Sequence, residues 1–186
     1  MTENKNTVCV ALIIVVSSLI SITYLAISPA NAEESFVAGL RGYEEVPPVN
    51  TSSTGYVNFV LVSDRLSYVL NVTNIHNVTN ADIHLASYGK NGPIVGQLFE
   101  STNITGMVNG TLSKGNFTAE NLQGPLKGQQ ISDLMNHMQE GNTYVNVRTS
   151  TNPEGEIRGQ IGFQGIDETG TTLGEKKLPP ENLDVD

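Results

Sequence analysis

The sequence predicts an all-β fold with one short helix, a Greek-key β-sandwich or a flattened barrel. Three observations predict it. Apolar residues recur at period two in several short runs, turn residues separate those runs roughly every 8–12 positions, and a single segment carries helical spacing. Composition agrees: the chain is 38% hydrophobic, only 16% charged, and has 18 Gly and no Trp. Low charge with abundant Asn, Ser, Thr and Gly suits a β-rich extracellular module better than a helical cytosolic enzyme.

The elements follow in order. Residues 36–40 form the first expected strand, and Pro47-Pro48 keeps residues 44–49 extended and outside any central strand. In residues 55–62, Val57, Phe59 and Leu61 share a face, and Ser63-Asp64-Arg65 makes a turn. Residues 66–72 then place Leu66, Tyr68, Leu70 and Val72 on one side, which turns Asn71 outward. Strands are expected at 81–88 and 94–100, with Gly89, Gly92 and Pro93 bracketing the turn between them, and at 107–112. Residues 130–139, QISDLMNHMQ, put Ile131, Leu134, Met135 and Met138 at helical spacing, with Gly141 as the stop. His137 points away from that stripe and is read as solvated. The last strands are 143–149 and 156–163, joined through Asn152-Pro153-Glu154-Gly155, where Gly155 suits a positive φ.

Charge and cysteine usage exclude classes of function. Ten Lys and Arg against 19 Asp and Glu give a net charge of −9, the wrong sign for a nucleic-acid partner. One cysteine, Cys9, excludes an internal disulfide framework. Residues 8–27 are twenty positions without a charge, followed by Ala30-Asn31-Ala32, a small-x-small cleavage pattern. Residues 1–32 therefore read as a signal peptide, with Glu33 as the new N-terminus. Uncleaved, the same segment reaches roughly 30 Å and is long enough to anchor the chain in a bilayer. Either way the remainder is expected to be secreted or held at the outer surface, and any membrane contact runs through that segment. Residues 33–163 form the expected β domain. Residues 164–186 have no periodicity, two adjacent prolines and six acids against two lysines, and read as a disordered acidic tail.

Sequons point to the same address. N-x-[ST] begins at Asn50, Asn71, Asn77, Asn103, Asn109 and Asn116. With 19 Asn in the chain, chance predicts about three, so six is a mild excess of candidate N-glycosylation sites.

One constellation has chemical content. By period two, Asp82 and His84 oppose Ile83 and Leu85. Tyr144, Asn146 and Arg148 oppose Val145 and Val147, while Glu156, Arg158 and Gln160 oppose Ile157 and Ile161. Pairing of the last two strands gathers these polar residues into a patch on the outside of one sheet, tied by Asp82–Arg148 and Glu156–Arg158 ion pairs. Glu44 and Glu45, beside Pro47, are expected to be a solvated loop pair. His76 and His137 have no evident partner that would make either a base. No G-x-S-x-G elbow, H-E-x-x-H, P-loop or EF-hand loop is present in the sequence.

Three segments resemble the CHRD domain family: FVAGLRGYEEVPPVNTSSTGYVNF at 36–59, ADIHLASYGKNGPIVGQLF at 81–99 and YVNVRTSTNPEGEIRGQI at 144–161. The pieces EVPPV, NGPIV and NPEGEIRGQI carry the specificity of the likeness. The resemblance implies an extracellular β-sandwich, immunoglobulin-like or superoxide-dismutase-like, with no established catalytic activity. It also implies that relatives carry a His-x-His pair at the positions of Asp82 and His84 and a third His at Arg148. Three imidazoles there would make a transition-metal site loosely similar to that of copper–zinc superoxide dismutases. Arg148 offers only donors and cannot ligate. The expectation is thus an exported, non-enzymatic binding or structural module without a cofactor, whose partner is an extracellular protein or a glycan. The alternative is a copper or zinc protein, or a minor metal-dependent oxidoreductase, using Asp82 and His84.

Overall fold

A computed structural model of the chain describes residues 34–101, 106–166 and 172–173. The expected strands form, four of them longer than alternation alone indicates, and the one expected at 81–88 runs instead from Val78 to Leu85. They are β1 (Ser35–Arg41), β2 (Thr54–Val62), β3 (Arg65–His76), β4 (Val78–Leu85), β5 (Ile94–Glu100), β6 (Met107–Phe117), β7 (Thr143–Thr149), β8 (Ile157–Gln160), β9 (Gly162–Ile166) and β10 (Thr172–Leu173). All pairings are antiparallel, in the order β5-β4-β7-β8-β1-β2-β3-β6, with β9 beside β1 and β10 beside β9. The single strand expected at 156–163 is broken in two: Ile161 lies between β8 and β9. Pairing also runs past Phe163 to Ile166 and includes Thr172–Leu173. The rest of the expected acidic tail, and the targeting segment, lie outside the described residues. Among the described residues no helix is long and apolar enough to cross a membrane.

The sheet curls into a nearly closed barrel because each strand turns an apolar face inward. Phe36, Leu40, Val57, Phe59, Leu66, Leu70, Ile83, Val145, Val147 and Ile157 are fully buried there. The helix α1 (Ile131–Gln139) adds Leu134, Met135 and Met138 from its apolar stripe. Its first turn is held by the Gln130 N–H donating to Asp133 Oδ2 at 2.8 Å. Gly141, at φ 69, follows its end. His137 is half-buried and lies 3.8 Å from Glu140. His76 is exposed at the end of β3.

Side chains bridge the seam between β5 and β6. Tyr68 Oη and Ser113 Oγ both donate to the Leu98 carbonyl at 2.8 Å, and the Phe117 ring presses on Gly96 so closely that an added Cβ would meet it at 2.2 Å. Because one acceptor serves two donors, Tyr68→Phe alone is expected to cost about 0.5–1.5 kcal/mol. The double change with Ser113→Ala should cost more than the sum of the singles, because only then does the buried carbonyl lose both partners. Denaturant midpoints of the four proteins measure this. Strict additivity would show that the two hydroxyls do not share the carbonyl.

Candidate functional site

The polar residues of β4, β7 and β8 come together as period two predicts, but the patch is not a solvated surface. Register sets His84 beside Tyr144 and Tyr144 beside Gln160, with Asp82 beside Asn146 and Asn146 beside Arg158 in the next row. Two loop segments lie over them. Asn91 Nδ2 donates to the Val46 carbonyl at 2.8 Å, linking one loop to the other. The sequence reading of an outer patch is corrected here: Asp82, His84, Tyr144, Asn146 and Arg158 are each less than a tenth exposed. Alternation identifies the face; it describes only strands and is silent on the loops that cover it, one after β1 and one directly after β4.

Arg158 sits at the centre. Its guanidinium lies 3.4 Å from the Tyr144 ring centroid and donates to the Lys90 carbonyl at 2.7 Å and to Asn91 Oδ1 at 3.0 Å. His84 stacks on Tyr144, with centroids 4.8 Å apart. Tyr144 Oη accepts from the Gly92 N–H at 3.2 Å, and His84 Nδ1 pairs with the Gly92 carbonyl at 2.9 Å. That carbonyl can only accept, so Nδ1 carries the proton and Nε2 keeps its lone pair. Burial lowers the His84 pKa against the pull of the Gly92 bond, and Arg148 and Arg158 lower it further. Gln160 Nε2 donates to the Ala86 carbonyl at 3.0 Å and to the Gly141 carbonyl at 2.7 Å.

Asp82 and Arg148 form an ion pair at 2.6 Å. Burial raises the Asp82 pKa, and the Arg148 charge and hydrogen bond oppose the rise. The expected Glu156–Arg158 pair is absent. Gly155, at φ 151, precedes Glu156, whose carboxylate instead accepts from Ser53, Thr51, Thr149 and Asn152. Burial pushes Glu156 up, and these four donors outweigh it and hold its carboxyl below the ordinary value.

Glu45 corrects the expectation of a solvated acid. It is 5% exposed, accepts from Asn146 Nδ2 at 3.3 Å, and packs against Gly155 so tightly that a Cβ there would meet both carboxylate oxygens within about 2.6 Å. Burial pushes its pKa up to about 7, against the attraction of Arg158. The sequence offered one signal for this: Gly155 leaves open the space that Glu45 fills.

Four buried atoms of this face, Glu45 Oε1, His84 Nε2, Asn146 Oδ1 and Gln160 Oε1, have no hydrogen-bond partner among the described residues. Nor do any three His, Cys, Asp or Glu side chains among those residues gather closely enough to hold a metal ion.

The CHRD domain matches residues 36–161, the span that builds the barrel and this face. The chain belongs to the CHRD domain family. It is similar to chordin of Danio rerio, 32% identical over 149 residues, which cover 78% of this chain and 15% of that protein. It is also similar to chordin of Xenopus laevis, 30% identical over 141 residues, or 74% of this chain and 14% of that protein. The CHRD chain thus spans a small fraction of the curated relatives it matches. No solved structure matches it.

Proposed function

We propose that the chain is exported and acts at the cell surface as a non-enzymatic binding module for an extracellular protein or a glycan. The observation that carries this reading is how the polar face uses its side chains. Arg158, Tyr144 and the Gln160 amide nitrogen bond to backbone groups and to the Asn91 side chain of the covering loop, and Asp82 and Arg148 bond to one another. Such a network builds a scaffold that presents loops. The uncharged segment 8–27 and the pattern Ala30-Asn31-Ala32 support export. The full chain, recovered from a secreting host and immobilised, is expected to retain one component of the source organism's surface fraction saturably, with soluble chain competing. Equal retention on heat-denatured chain would defeat the reading.

A metal-binding reading has one observation in its favour, the free lone pair of buried His84 Nε2. Metal analysis of the full chain equilibrated with copper or zinc decides between the two. The binding reading expects far less than one equivalent, unchanged in His84→Ala. One equivalent that disappears in His84→Ala would establish the metal reading instead.

A further inference from the structure

The outer face of the β2–β3 hairpin, on the opposite half of the barrel from the polar face, carries a shallow depression of about 300 Å³. Tyr56, Asn58, Val60, Ser67, Val69 and Asn71 line it. Tyr56 is 44% exposed and Val69 40%, an aromatic ring and an aliphatic side chain open to solvent, while Asn58 Oδ1 beneath them is buried without a partner. An apolar ring edged by amides and a hydroxyl matches a saccharide, whose C–H face packs on an aromatic ring while its hydroxyls bond to amides.

The covalent source of that saccharide lies in the same depression. Asn71-Val72-Thr73 is a sequon, and Asn71 pairs directly with Tyr56 across the strands. Side chains so paired have Cβ atoms about 4.5–5.5 Å apart, close enough for a group on one to lie against the other. Thr111 Oγ1 donates to Asn71 Oδ1 at 2.8 Å, which fixes the amide and leaves the modifiable atom, Nδ2, outside that bond. The other described sequons lack such a setting. Asn77 Oδ1 accepts from the Gly106 N–H at 2.9 Å and Asn109 Oδ1 from the Asn74 N–H at 2.7 Å. Asn116 Oδ1 accepts from Ser67 Oγ at 2.8 Å, much as Asn71 accepts from Thr111, but faces a serine across the strands. Asn50 lies outside the strands, so Asn71 alone among them faces an aromatic ring. Asn103 lies outside the described residues.

We infer that Asn71 is an N-glycosylation site and that the attached saccharide lies over Tyr56, covering the outer face of β2 and β3. In the transfer, Nδ2 attacks the anomeric carbon of a lipid-phosphate-linked saccharide. The Nδ2–carbon bond forms, the carbon–oxygen bond to phosphate breaks, the lipid phosphate leaves with that electron pair, and the displaced amide proton passes to solvent base. The inference rests on the export half of the proposed function.

The test uses residues 1–186 produced in a secreting host that transfers saccharide to N-x-[ST]. Peptide mass spectrometry should find Asn71 occupied, and Thr73→Val, which removes the sequon and keeps Asn71, should lose that one glycan. Thermal unfolding then reads the contact. Tyr56→Ala should lower the melting temperature by several degrees in the glycosylated chain and by much less in the Thr73→Val background, while Tyr56→Phe keeps the ring and the coupling. A chain retained inside the cell overturns export and this inference together. An exported chain with Asn71 bare, or one in which Tyr56→Ala costs the same in both backgrounds, overturns this inference alone.

Discussion

Arg158→Ala is expected to destabilise the fold by about 3–5 kcal/mol, the largest single effect of any polar residue on the β4–β7–β8 face. The change removes two of the donors that hold the loop over this face, so the Lys90 carbonyl and Asn91 Oδ1 lose their partner together, while His84, Tyr144 and Gln160 keep their bonds to the loop. Lys90 and Asn91 are exposed loop residues, so water re-pairs these acceptors in part and they cost less than the about 1–3 kcal/mol of a fully buried one. The change also strips the guanidinium from the Tyr144 ring, where Arg158 itself is only 2% exposed, and leaves a cavity in its place. Arg158→Met should recover part of the loss, because its stem still covers Tyr144 while the two acceptors still lack the guanidinium. Arg65→Ala, at an exposed arginine, is the reference and should cost well under 1 kcal/mol. The measurement is guanidinium unfolding of all four proteins. Equal midpoints for Arg158→Ala and Arg65→Ala would mean that water replaces the guanidinium freely.

Two residues show where alternation stops being informative. Asp82 and Arg148 both leave the apolar face at period two, which was legible from the strands; that they meet depends on β4 and β7 being neighbours, which the resemblance and not the alternation implied. Arg158 obeyed the same rule and still found different partners. The backbone at Gly155 turns Glu156 towards Ser53, Thr51 and Thr149, and the vacated guanidinium bonds to a loop some 67 residues away in sequence. Strand lengths were underestimated for related reasons. β3 continues through a register shift after Val72 and through Asn74, at φ 54, features that end a periodic pattern without ending the pairing. β6 continues through Ser113-Lys114-Gly115-Asn116, poor strand formers kept in place by pairing with β3. The helix, in contrast, depends on local spacing and a local cap, and it formed where the pattern placed it.

Glu45→Gln is expected to stabilise the protein at pH 8 and to leave it almost unchanged at pH 4. The Glu45 carboxyl holds its proton more tightly in the folded chain than in the unfolded one, about 7 against 4.5. Its preference for folding is therefore complete below 4.5 and is lost as pH rises through about 7, when a carboxylate must sit between Gly155 and Asn146 with Oε1 unpaired. Arg158 moderates that cost, while its Nη1 and Nη2 donate to Asn91 and Lys90 and not to Glu45. Other groups tilt the raw profile. His84, held below 6.5, makes stability fall as the solution becomes more acidic, and Asp82, raised above 3.8, acts in the opposite sense. Both contribute equally to wild type and variant, so they cancel in the difference. Glutamine has nearly the shape of the protonated acid and can still accept from Asn146 Nδ2 through its amide oxygen. The two proteins should thus have matching urea midpoints at pH 4 and separate between pH 4 and 8. Allowing for solvent screening, the variant should end about 1–2 kcal/mol more stable. A gap that stays constant across this range would mean that the Glu45 carboxyl ionises in the folded chain as it does in the unfolded one, and that the loop over Asn146 leaves it hydrated.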